Sequence, residues 1–453
     1  MPTYHRETAI EASAEQLFAW HERPGAFFRL LPPWEDTRVV ERGNGLAAGE
    51  RTILDMSMFG PVRTRWVAEH TWCERPTGFD DTQAEGPFTK WVHQHRFHDG
   101  RLEDRIEWMP PLGGLGVAVA GGSLESRIDR GFVFRHQRTK EDVERLVAGP
   151  QGLRVAVTGA SGLVGQALTH FLQSGGHTVV PLVRRKADVD ALGGIYWNVR
   201  EGAIDGAALE GFDAVVHLAG ASVSGKAWTD DYRAAIRDSR VDGTRLLAEA
   251  LAGLKDKPRV FVSGSAVGFY GDRGDEVVDG SSERGDGFLA DVGASWEAAT
   301  VAAEEAGIRT VKLRTGIVLA MAGGALPAML PAFRAGTGGP IGGGQQYVPW
   351  IHLDDLVYAI HYAIGNDQVR GPINSTGPTP VPQRAFAKAL GRALGRPAIL
   401  PAPAAAVRLG MGREKADELV LAGQNAVPNG LRDAGFRWAH PEVEGALRAL
   451  LGT

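Results

Sequence analysis

Hydrophobic and polar residues alternate in three segments of the first third of the chain. The segments cover residues 66–72, 90–97 and 102–108, and the pair Asp99 and Gly100 precedes the third. A period of two is typical of strands that bury one face, and Asp-Gly is a common hairpin turn. The pattern therefore predicts an antiparallel meander.

Helices are predicted on both sides of this meander. Ser13, with Gln16 three residues later, forms a capping-box pattern at the start of an early helix. From Ser123 to Leu146, apolar residues recur at helical spacing and predict a longer amphipathic helix. Its predicted buried face consists of Leu124, Ile128, Phe132, Val143 and Leu146.

The order of these elements over residues 1–150 resembles the helix-grip fold of START-like and polyketide-cyclase-like domains, an α+β architecture. The resemblance implies a cavity between the sheet and the long helix that holds a hydrophobic ligand. A closed domain without a ligand is the alternative, because aromatic strand faces usually form ordinary core.

After a Gly-Pro-Gln-Gly linker, apolar strand segments alternate with helical ones. The strands are predicted at 155–158, 178–183, 212–220 and 258–263, with helices at 166–174 and 230–254. This alternation predicts an α/β domain over residues 151–380, a Rossmann-type, doubly wound parallel sheet. Phe386, Leu390 and Leu394 follow at helical spacing, so residues 381–453 are expected to form a small helical domain.

Glycines at 159, 162 and 165 follow the first of these strands and open the first helix. Gly159 lets the chain turn, Gly162 lets backbone approach a pyrophosphate, and Gly165 lets the helix pack close to the strand. The helix N-terminus offers unpaired N–H groups and a positive dipole end to the phosphates. A purely structural turn is the alternative, but both flanks fit a dinucleotide site.

The second strand ends in Arg184, Arg185 and Lys186, where an NAD-preferring site usually has an acidic residue. Cations there favour a 2′-phosphate, so NADP is predicted over NAD, with an exposed charge cluster as the alternative. Small residues end the next strand and allow backbone to lie against the adenosine side of the cofactor. The predicted cofactor-binding residues are Gly159, Ser161, Gly162, Leu163, Val164, Gly165, Arg184, Arg185, Leu218, Ala219 and Gly220.

Composition narrows the classes of protein. The 453 residues are too many for one ordinary core, and a formal charge of −5 argues against nucleic acid as the main partner. Cys73 is the only cysteine, which excludes an intramolecular disulfide and fits a reducing compartment. No signal peptide or apolar run of membrane-spanning length is visible, so a cytoplasmic protein is expected.

Longer motifs point to a known superfamily. They are Thr-Gly-Ala-Ser-Gly-Leu-Val-Gly at 158–165, His-Leu-Ala-Gly at 217–220, Ser-Gly-Ser-Ala-Val-Gly-Phe-Tyr-Gly-Asp at 263–272 and Trp-Ile-His-Leu-Asp-Asp-Leu at 350–356. These motifs resemble extended short-chain dehydrogenases/reductases. Segments at 313–319, 323–327 and 423–436 resemble a bacterial branch labelled nucleoside-diphosphate-sugar epimerase or cell-division inhibitor. The resemblance implies a C-terminal substrate lobe to which residues 381–453 contribute.

Hydride-transferring members of this superfamily use a tyrosine whose pKa is lowered by a lysine four residues later. None of the seven tyrosines here has a lysine at that spacing. Matching the Trp-Glu pair at 296–297 to the superfamily's helix places Leu289 and Gly293 at the two positions, so the usual pair is absent. Ser265 matches the catalytic hydroxyl, and Tyr270 is a candidate replacement phenol. The alternative for Ser265 is a hydrogen-bonded hydroxyl at a strand end, and the alternative for Tyr270 is packing within a loop.

Other polar candidates are weaker. Lys226 and Arg240 could reach a substrate anion or a phosphate, or could be helix surface charges, which is the expectation for Arg240. Asp354 or Asp355 is expected to cap a helix.

Histidines in the second alternating segment invite a metal interpretation. His93 and His95 would share one strand face, and His98 would lie on the other. Two imidazoles without a third convergent ligand make a poor site, so polar packing is predicted and no metal.

Together these features predict an NADP-dependent oxidoreductase or epimerase that acts on a small-molecule substrate. Its N-terminal domain would bind or shelter an apolar ligand. A second interpretation is a non-catalytic NADP-binding regulatory or ligand-sensing protein, which the missing Tyr–Lys pair favours. A third makes the N-terminal domain a ligand carrier fused to a reductase.

Overall fold

The computed structural model describes residues 1–59 and 62–453 of the chain. The chain divides into two compact units. The first comprises residues 1–152 with 170–176 and 452, and the second comprises residues 153–169, 177–451 and 453. Among the described helices, none combines the length and the apolar character needed to cross a membrane.

The first unit combines an antiparallel sheet with one long helix, the α+β helix-grip arrangement. Its strands are β1 (Thr3–Ala9), β2 (Thr37–Glu41), β3 (Arg51–Phe59), β4 (Val62–Glu74), β5 (Gly78–Glu85), β6 (Lys90–His98) and β7 (Arg101–Met109). Its helices are α1 (Ala14–Glu22), α2 (Pro24–Arg29) and α3 (Gly114–Ala148). The strand order is β1-β7-β6-β5-β4-β3-β2, and neighbours are antiparallel.

The core of the first unit lies between the sheet and α3. Ile106 and Trp108 of β7 pack with Leu124, Ile128 and other apolar residues of the helix. All five residues of the predicted buried helix face are buried, which confirms the amphipathic pattern.

Two helix starts show what local sequence does and does not reveal. The predicted capping box is confirmed, since the Ser13 hydroxyl accepts the N–H of Gln16 at 3.2 Å and the Gln16 side chain accepts the N–H of Ser13 at 2.8 Å. In contrast, α3 begins at Gly114 rather than at residue 123. Leu115 and Val119 in its first turns are exposed, so no buried stripe marks this segment.

The second unit is built on an eight-stranded sheet. The strands of that sheet are β8 (Arg154–Thr158), β9 (Thr178–Val183), β10 (Ile195–Asn198), β11 (Ala203–Ile204), β12 (Ala214–His217), β13 (Val260–Ala266), β15 (Arg309–Thr315) and β19 (Gly371–Ser375). Short strands outside it are β14 (Val277–Val278), β16 (Ile317–Leu319), β17 (Tyr347–Val348), β18 (Trp350–His352), β20 (Val381–Pro382) and β21 (Asn425–Ala426). The helices are α4 (Leu163–Ser174), α5 (Ala187–Leu192), α6 (Asp230–Ala252), α7 (Phe288–Ala298), α8 (Val301–Glu305), α9 (Ala325–Arg334), α10 (Leu353–Gly365), α11 (Gln383–Leu394), α12 (Ala404–Met411), α13 (Arg413–Ala416), α14 (Asn429–Asp433) and α15 (Val443–Leu451).

The order of strands in this sheet is β11-β10-β9-β8-β12-β13-β15-β19, and every pair except β10 with β11 is parallel. On one side of β8 the order continues with β9, β10 and β11, and on the other side it continues with β12, β13, β15 and β19. A doubly wound sheet therefore reverses between β8 and β12, and ligands of such sheets bind at the carboxyl ends of those strands. The predicted Rossmann-type fold is confirmed.

The late helices of the second unit form a hydrophobic cluster of their own. Phe386 and Leu390 of α11 are buried beside Leu326 of α9 and Leu447 of α15, and Leu394 packs partly buried against them. The predicted helical spacing from Pro382 is thus confirmed, and this cluster supports the segments that follow the sheet.

Candidate functional site

The glycine turn joins β8 to α4 at the reversal point. Gly159 has a φ of +69°, and a Cβ there would lie 2.9 Å from the nitrogen of Ala219 and 3.0 Å from the carbonyl carbon of Leu218. A Cβ on Gly165 would lie only 2.1 Å from the carbonyl oxygen of Gly159. A Cβ on Gly162 would meet only that same oxygen, at 3.2 Å. Close packing therefore requires glycine at 159 and 165, whereas Gly162 leaves its face open to a ligand.

The first turn of α4 presents backbone donors at the same edge. Among the residues that the structure describes, the N–H groups of Leu163, Val164 and Gly165 donate to no acceptor, as at any uncapped helix start. Ser161 is exposed beside them. Free N–H groups and the positive end of a helix dipole bind anions, so the turn fits the pyrophosphate of a dinucleotide.

A threonine that sequence reasoning missed ties the two switch-point strands together. The Thr158 hydroxyl lies 2.6 Å from Nδ1 of His217 and accepts the N–H groups of Leu218 and Ala219 at 3.1 and 3.2 Å. Burial lowers the pKa of His217 to about 3, so its imidazole is neutral. Because the Thr158 hydroxyl already accepts two N–H groups, it donates its own proton to Nδ1 of His217. These contacts hold the backbone of residues 218–220 against the glycine turn.

The two arginines after β9 differ in their surroundings. Arg185 is exposed and pairs with the Asp188 carboxylate through two bonds of 2.7 Å. The side chain of Arg184 is exposed and makes no hydrogen bond or ion pair with any described residue. Arg184 is therefore a cation at this strand end that no described carboxylate neutralises. Lys186 likewise has no described carboxylate partner and lies 5.4 Å from the Tyr196 ring.

Ser265 belongs to a buried polar network at the end of β13. Its hydroxyl donates to Glu297 of α7 at 2.7 Å. The Glu297 carboxylate also accepts both forks of the Arg314 guanidinium, at 2.7 and 2.9 Å. Arg314 and Glu297 are 3% and 8% exposed, so the serine hydroxyl is held by a desolvated, charge-neutral pair.

Tyr270 is the least accessible member of this network. Its side chain is fully buried, and its hydroxyl donates to the carbonyl of Asp279 or the amide oxygen of Asn374, both at 2.6 Å. Arg314 donates to the same hydroxyl at 3.0 Å. Burial raises the pKa of Tyr270 although Arg314 opposes the shift. Its role as an acid or base stays a prediction, and these contacts favour a positioning role instead.

Little free space surrounds Gly293, the position that alignment to the superfamily assigns to the lysine. A Cβ on Gly293 would lie 3.2 Å from the Cα of Phe269, and the Arg314 guanidinium stacks 3.6 Å from the Phe269 ring. Leu289, assigned to the tyrosine position, packs against Gly268, whose Cβ would lie 3.2 Å away. The two assigned positions therefore pack against the segment at 268–269, and the assignment stays a prediction.

The segment at 415–418 contacts the start of α7 and the loop before α6. Glu418 accepts the N–H groups of Phe288 and Leu289 at 2.9 and 2.8 Å. Lys415, which is 8% exposed, donates to the carbonyls of Ser224 and Lys226 at 2.8 Å each. Sequence reasoning missed these two residues because nothing local marks a contact that spans more than a hundred positions.

The weaker candidates divide. The side chain of Lys226 is exposed. Arg240 is not a free surface charge, since it donates to the carbonyl of Ala221 at 2.9 Å and lies over Trp296, and burial lowers its pKa to about 10. The cap of α10 is His352, which accepts the N–H of Asp354 at 3.1 Å, rather than an aspartate.

The first unit holds a second candidate site, a cavity of about 240 Å³. Its lining includes the apolar residues Trp66, Phe88 and Ile128 and the polar residues His93, His95 and Asp81. His93 and His95 are buried and His98 is exposed, which confirms the predicted strand faces.

The expectation that these histidines lack a third partner was wrong. Asp81 of β5 lies 3.2 Å from Nδ1 of His93 and 3.4 Å from Nε2 of His95. Asp104 of β7 also lies 2.6 Å from Nδ1 of His95. It was detectable in principle, because it shares the buried face of β7 with Leu102. Asp81 lies on a polar strand that no periodicity predicts.

Comparison with known families divides the chain into three matching regions. Residues 155–374 match the NAD dependent epimerase/dehydratase family, and residues 10–135 match the family described as polyketide cyclase / dehydrase and lipid transport. Residues 402–450 match a domain of unknown function, DUF1731.

Individual relatives agree with these matches. The epimerase family protein Mb2239 of Mycobacterium bovis is 43% identical over 294 residues, which are 65% of this chain and 96% of the relative. The crystal structure of a nucleoside-diphosphate sugar epimerase from Corynebacterium glutamicum covers 99% of this chain and 90% of its own, with 32% identity and a TM-score of 0.79. Human SDR39U1, crystallised with NADPH, covers 66% of this chain and 99% of its own, with 34% identity and a TM-score of 0.61.

Proposed function

Because the chain belongs to the epimerase family of extended short-chain dehydrogenases/reductases, we propose that it is an NADP-dependent oxidoreductase or epimerase acting on a small molecule. The observation that carries the proposal is the glycine turn at the reversal of the sheet, with its free helix N–H groups. The NADPH in the human SDR39U1 crystal structure supports the same cofactor. When bound, that cofactor supplies or accepts a hydride.

The choice of NADP rests on Arg184. Its guanidinium stands after β9 without a carboxylate partner among the described residues, where the adenosine ribose of a dinucleotide lies in this fold. A guanidinium binds a phosphate through a planar pair of N–H donors. For Arg184 to bind a 2′-phosphate, no ion pair with a described carboxylate has to be broken first. Arg185 is paired with Asp188, so we expect it to contribute less to phosphate binding than Arg184 does.

Ser265 is the residue proposed to touch the substrate. It lies near the carboxyl end of β13, at the sheet edge where ligands of this fold bind. In the proposal its hydroxyl exchanges the bond to Glu297 for one to a substrate oxygen and polarises that carbonyl or alcohol. The ion pair of Glu297 with Arg314 keeps the carboxylate satisfied during the exchange.

The substrate side is formed by the late segment around α13. Lys415 and Glu418 fix the loop at 222–228 and the start of α7, and Glu414 pairs with Arg233 of α6 at 2.7 Å. We expect substrate specificity to depend on that segment, because its contacts set the positions of the loop at 222–228 and of the start of α7.

Turnover measured by NADPH absorbance tests the enzymatic proposal. We expect purified protein to oxidise NADPH with at least one member of a panel of carbonyl compounds and sugar nucleotides. Ser265→Ala should lower that rate about 100-fold, as loss of an oxyanion-type donor does. Tight NADPH binding without turnover by the wild-type protein across the panel would instead favour the regulatory alternative.

The cavity of the first unit is proposed to hold an apolar ligand. Its apolar lining residues and its volume of about 240 Å³ support this. Gly131 lines the cavity, and a Cβ there meets nothing within 4 Å, so Gly131→Leu should fill the space without a clash. Gly122→Leu on the exposed side of α3 is the matched control. Native mass spectrometry should detect a co-purified molecule in wild type and G122L and not in G131L; an empty wild-type protein would contradict the proposal.

A further inference from the structure

Three polar side chains that line the cavity of the first unit lie close together. Asp81 and His93 face each other directly on β5 and β6, and His95 follows on the same face of β6. One oxygen of Asp81 lies 3.2 Å from Nδ1 of His93 and 3.4 Å from Nε2 of His95. One ligand atom from each residue lies within 4.8 Å of the other two, which is the spacing of donors that share one ion.

A second carboxylate lies at the opposite edges of both imidazoles and accepts a hydrogen bond from His93. Asp104 lies 3.2 Å from Nε2 of His93 and 2.6 Å from Nδ1 of His95. Its other oxygen lies 2.7 Å from Nε2 of His136, whose Nδ1 lies 2.8 Å from the Thr8 hydroxyl. Imidazoles that bind metals usually donate their second N–H to such a carboxylate, which fixes the ring and leaves the other nitrogen free to coordinate.

The charges in this cluster also favour a divalent cation. Asp81 and Asp104 place two negative charges in a buried site whose side-chain exposures are 14% and 5%. A divalent ion held between Asp81 and the two imidazoles would supply two positive charges, which match the charges of the two carboxylates.

Two further histidines and three arginines line the same cavity, His21, His70, Arg42, Arg127 and Arg135. His21 donates its Nδ1–H to the carbonyl of Leu17, 2.8 Å away. The Arg127 guanidinium pairs with Glu35 at 3.1 Å, and Arg42 and Arg135 lie over phenylalanine rings. Each of these three cations therefore has a partner outside the cluster.

We propose that Asp81, His93 and His95 bind a divalent transition-metal ion of the Zn²⁺ and Fe²⁺ class in the cavity that they line. Two imidazoles and one carboxylate suit these borderline ions, and three protein ligands leave coordination positions open to the cavity. The site goes beyond the proposed reductase or epimerase activity, because every residue that forms it belongs to the first unit. It also replaces the expectation from sequence that no metal binds.

Cobalt binding to the chelator-treated, full-length protein tests the site. We expect one Co²⁺ per chain at micromolar concentration, with visible ligand-field absorption. Asp81→Asn and His95→Gln should abolish the absorption. Asp104→Asn should weaken binding about 10- to 100-fold, as loss of an orienting carboxylate does.

A matched control separates this site from a surface one. His5, Glu7 and Glu103 form an exposed cluster with similar spacing, so His5→Gln should leave the Co²⁺ spectrum unchanged. Near-UV circular dichroism of the nearly isosteric D81N variant shows whether its fold is intact, and D81N decides the result if H95Q does not fold. Wild-type protein without a visible Co²⁺ band, a band retained in folded D81N, or a band lost in H5Q would each overturn the proposal.

Discussion

Gly165→Ala is expected to abolish dinucleotide binding. The added Cβ would lie 2.1 Å from the carbonyl oxygen of Gly159 and 2.8 Å from the Cα of Ala160, so the turn must move away from the start of α4. The backbone N–H groups then no longer point toward the pyrophosphate. We expect the dissociation constant for NADPH, measured by fluorescence titration, to rise at least about 100-fold, equivalent to about 2.8 kcal/mol.

The control for this substitution is Gly445→Ala. Gly445 lies within α15, and a Cβ there meets nothing within 4 Å. Alanine in an open helical position is favoured over glycine by about 0.5–1 kcal/mol, so this variant should bind NADPH as the wild type does. An unchanged NADPH affinity in folded G165A would show that the turn does not hold the cofactor.

Glu297→Gln is expected to destabilise the second unit strongly. The substitution keeps the shape of the side chain but leaves the Arg314 guanidinium, 3% exposed, without its counter-ion. Removing one partner of a buried ion pair typically costs about 3–5 kcal/mol because the remaining charge is desolvated and unpaired. Chemical denaturation followed by circular dichroism measures the change in the free energy of unfolding.

An exposed ion pair provides the comparison. Glu444 pairs with Arg392 at 2.7 Å, with side-chain exposures of 30% and 57%, so Glu444→Gln should change stability little. Equal losses in E297Q and E444Q would contradict a structural role for the network around Ser265. The larger loss of stability in E297Q should also lower the fraction of folded enzyme, independently of any effect on the chemical step.

The parts of the fold that periodicity determines were predictable from the sequence. The strand predicted at 155–158 lies within β8, because apolar residues run through a strand that is buried on both faces after Arg154. Local side-chain chemistry was equally readable in the capping box at Ser13. The early turns of α3 were not, since exposed apolar residues and glycines there give no amphipathic signal.

The candidate sites depend on contacts that sequence spacing does not encode. Alignment to a superfamily placed Ser265 at a strand end, but its bond to Glu297 depends on how α7 packs against β13. The partners of His93 and His95 come from two other strands, and only Asp104 left a trace, as a charge on the inward face of β7. A carboxylate on an apolar strand face is thus a signal worth following in sequences of this kind.

We propose that the glycine turn and Arg184 give this chain a preference for NADP. The ratio of the dissociation constants for NADH and NADPH, measured by fluorescence titration of the full-length protein, tests that preference. We expect NADPH to bind at least about tenfold more tightly, equivalent to about 1.4 kcal/mol. The preference should disappear in Arg184→Ala/Arg185→Ala and persist in Arg259→Ala, an exposed arginine just before β13 at the opposite edge of the sheet. Equal or tighter binding of NADH by the wild-type protein would contradict this proposal.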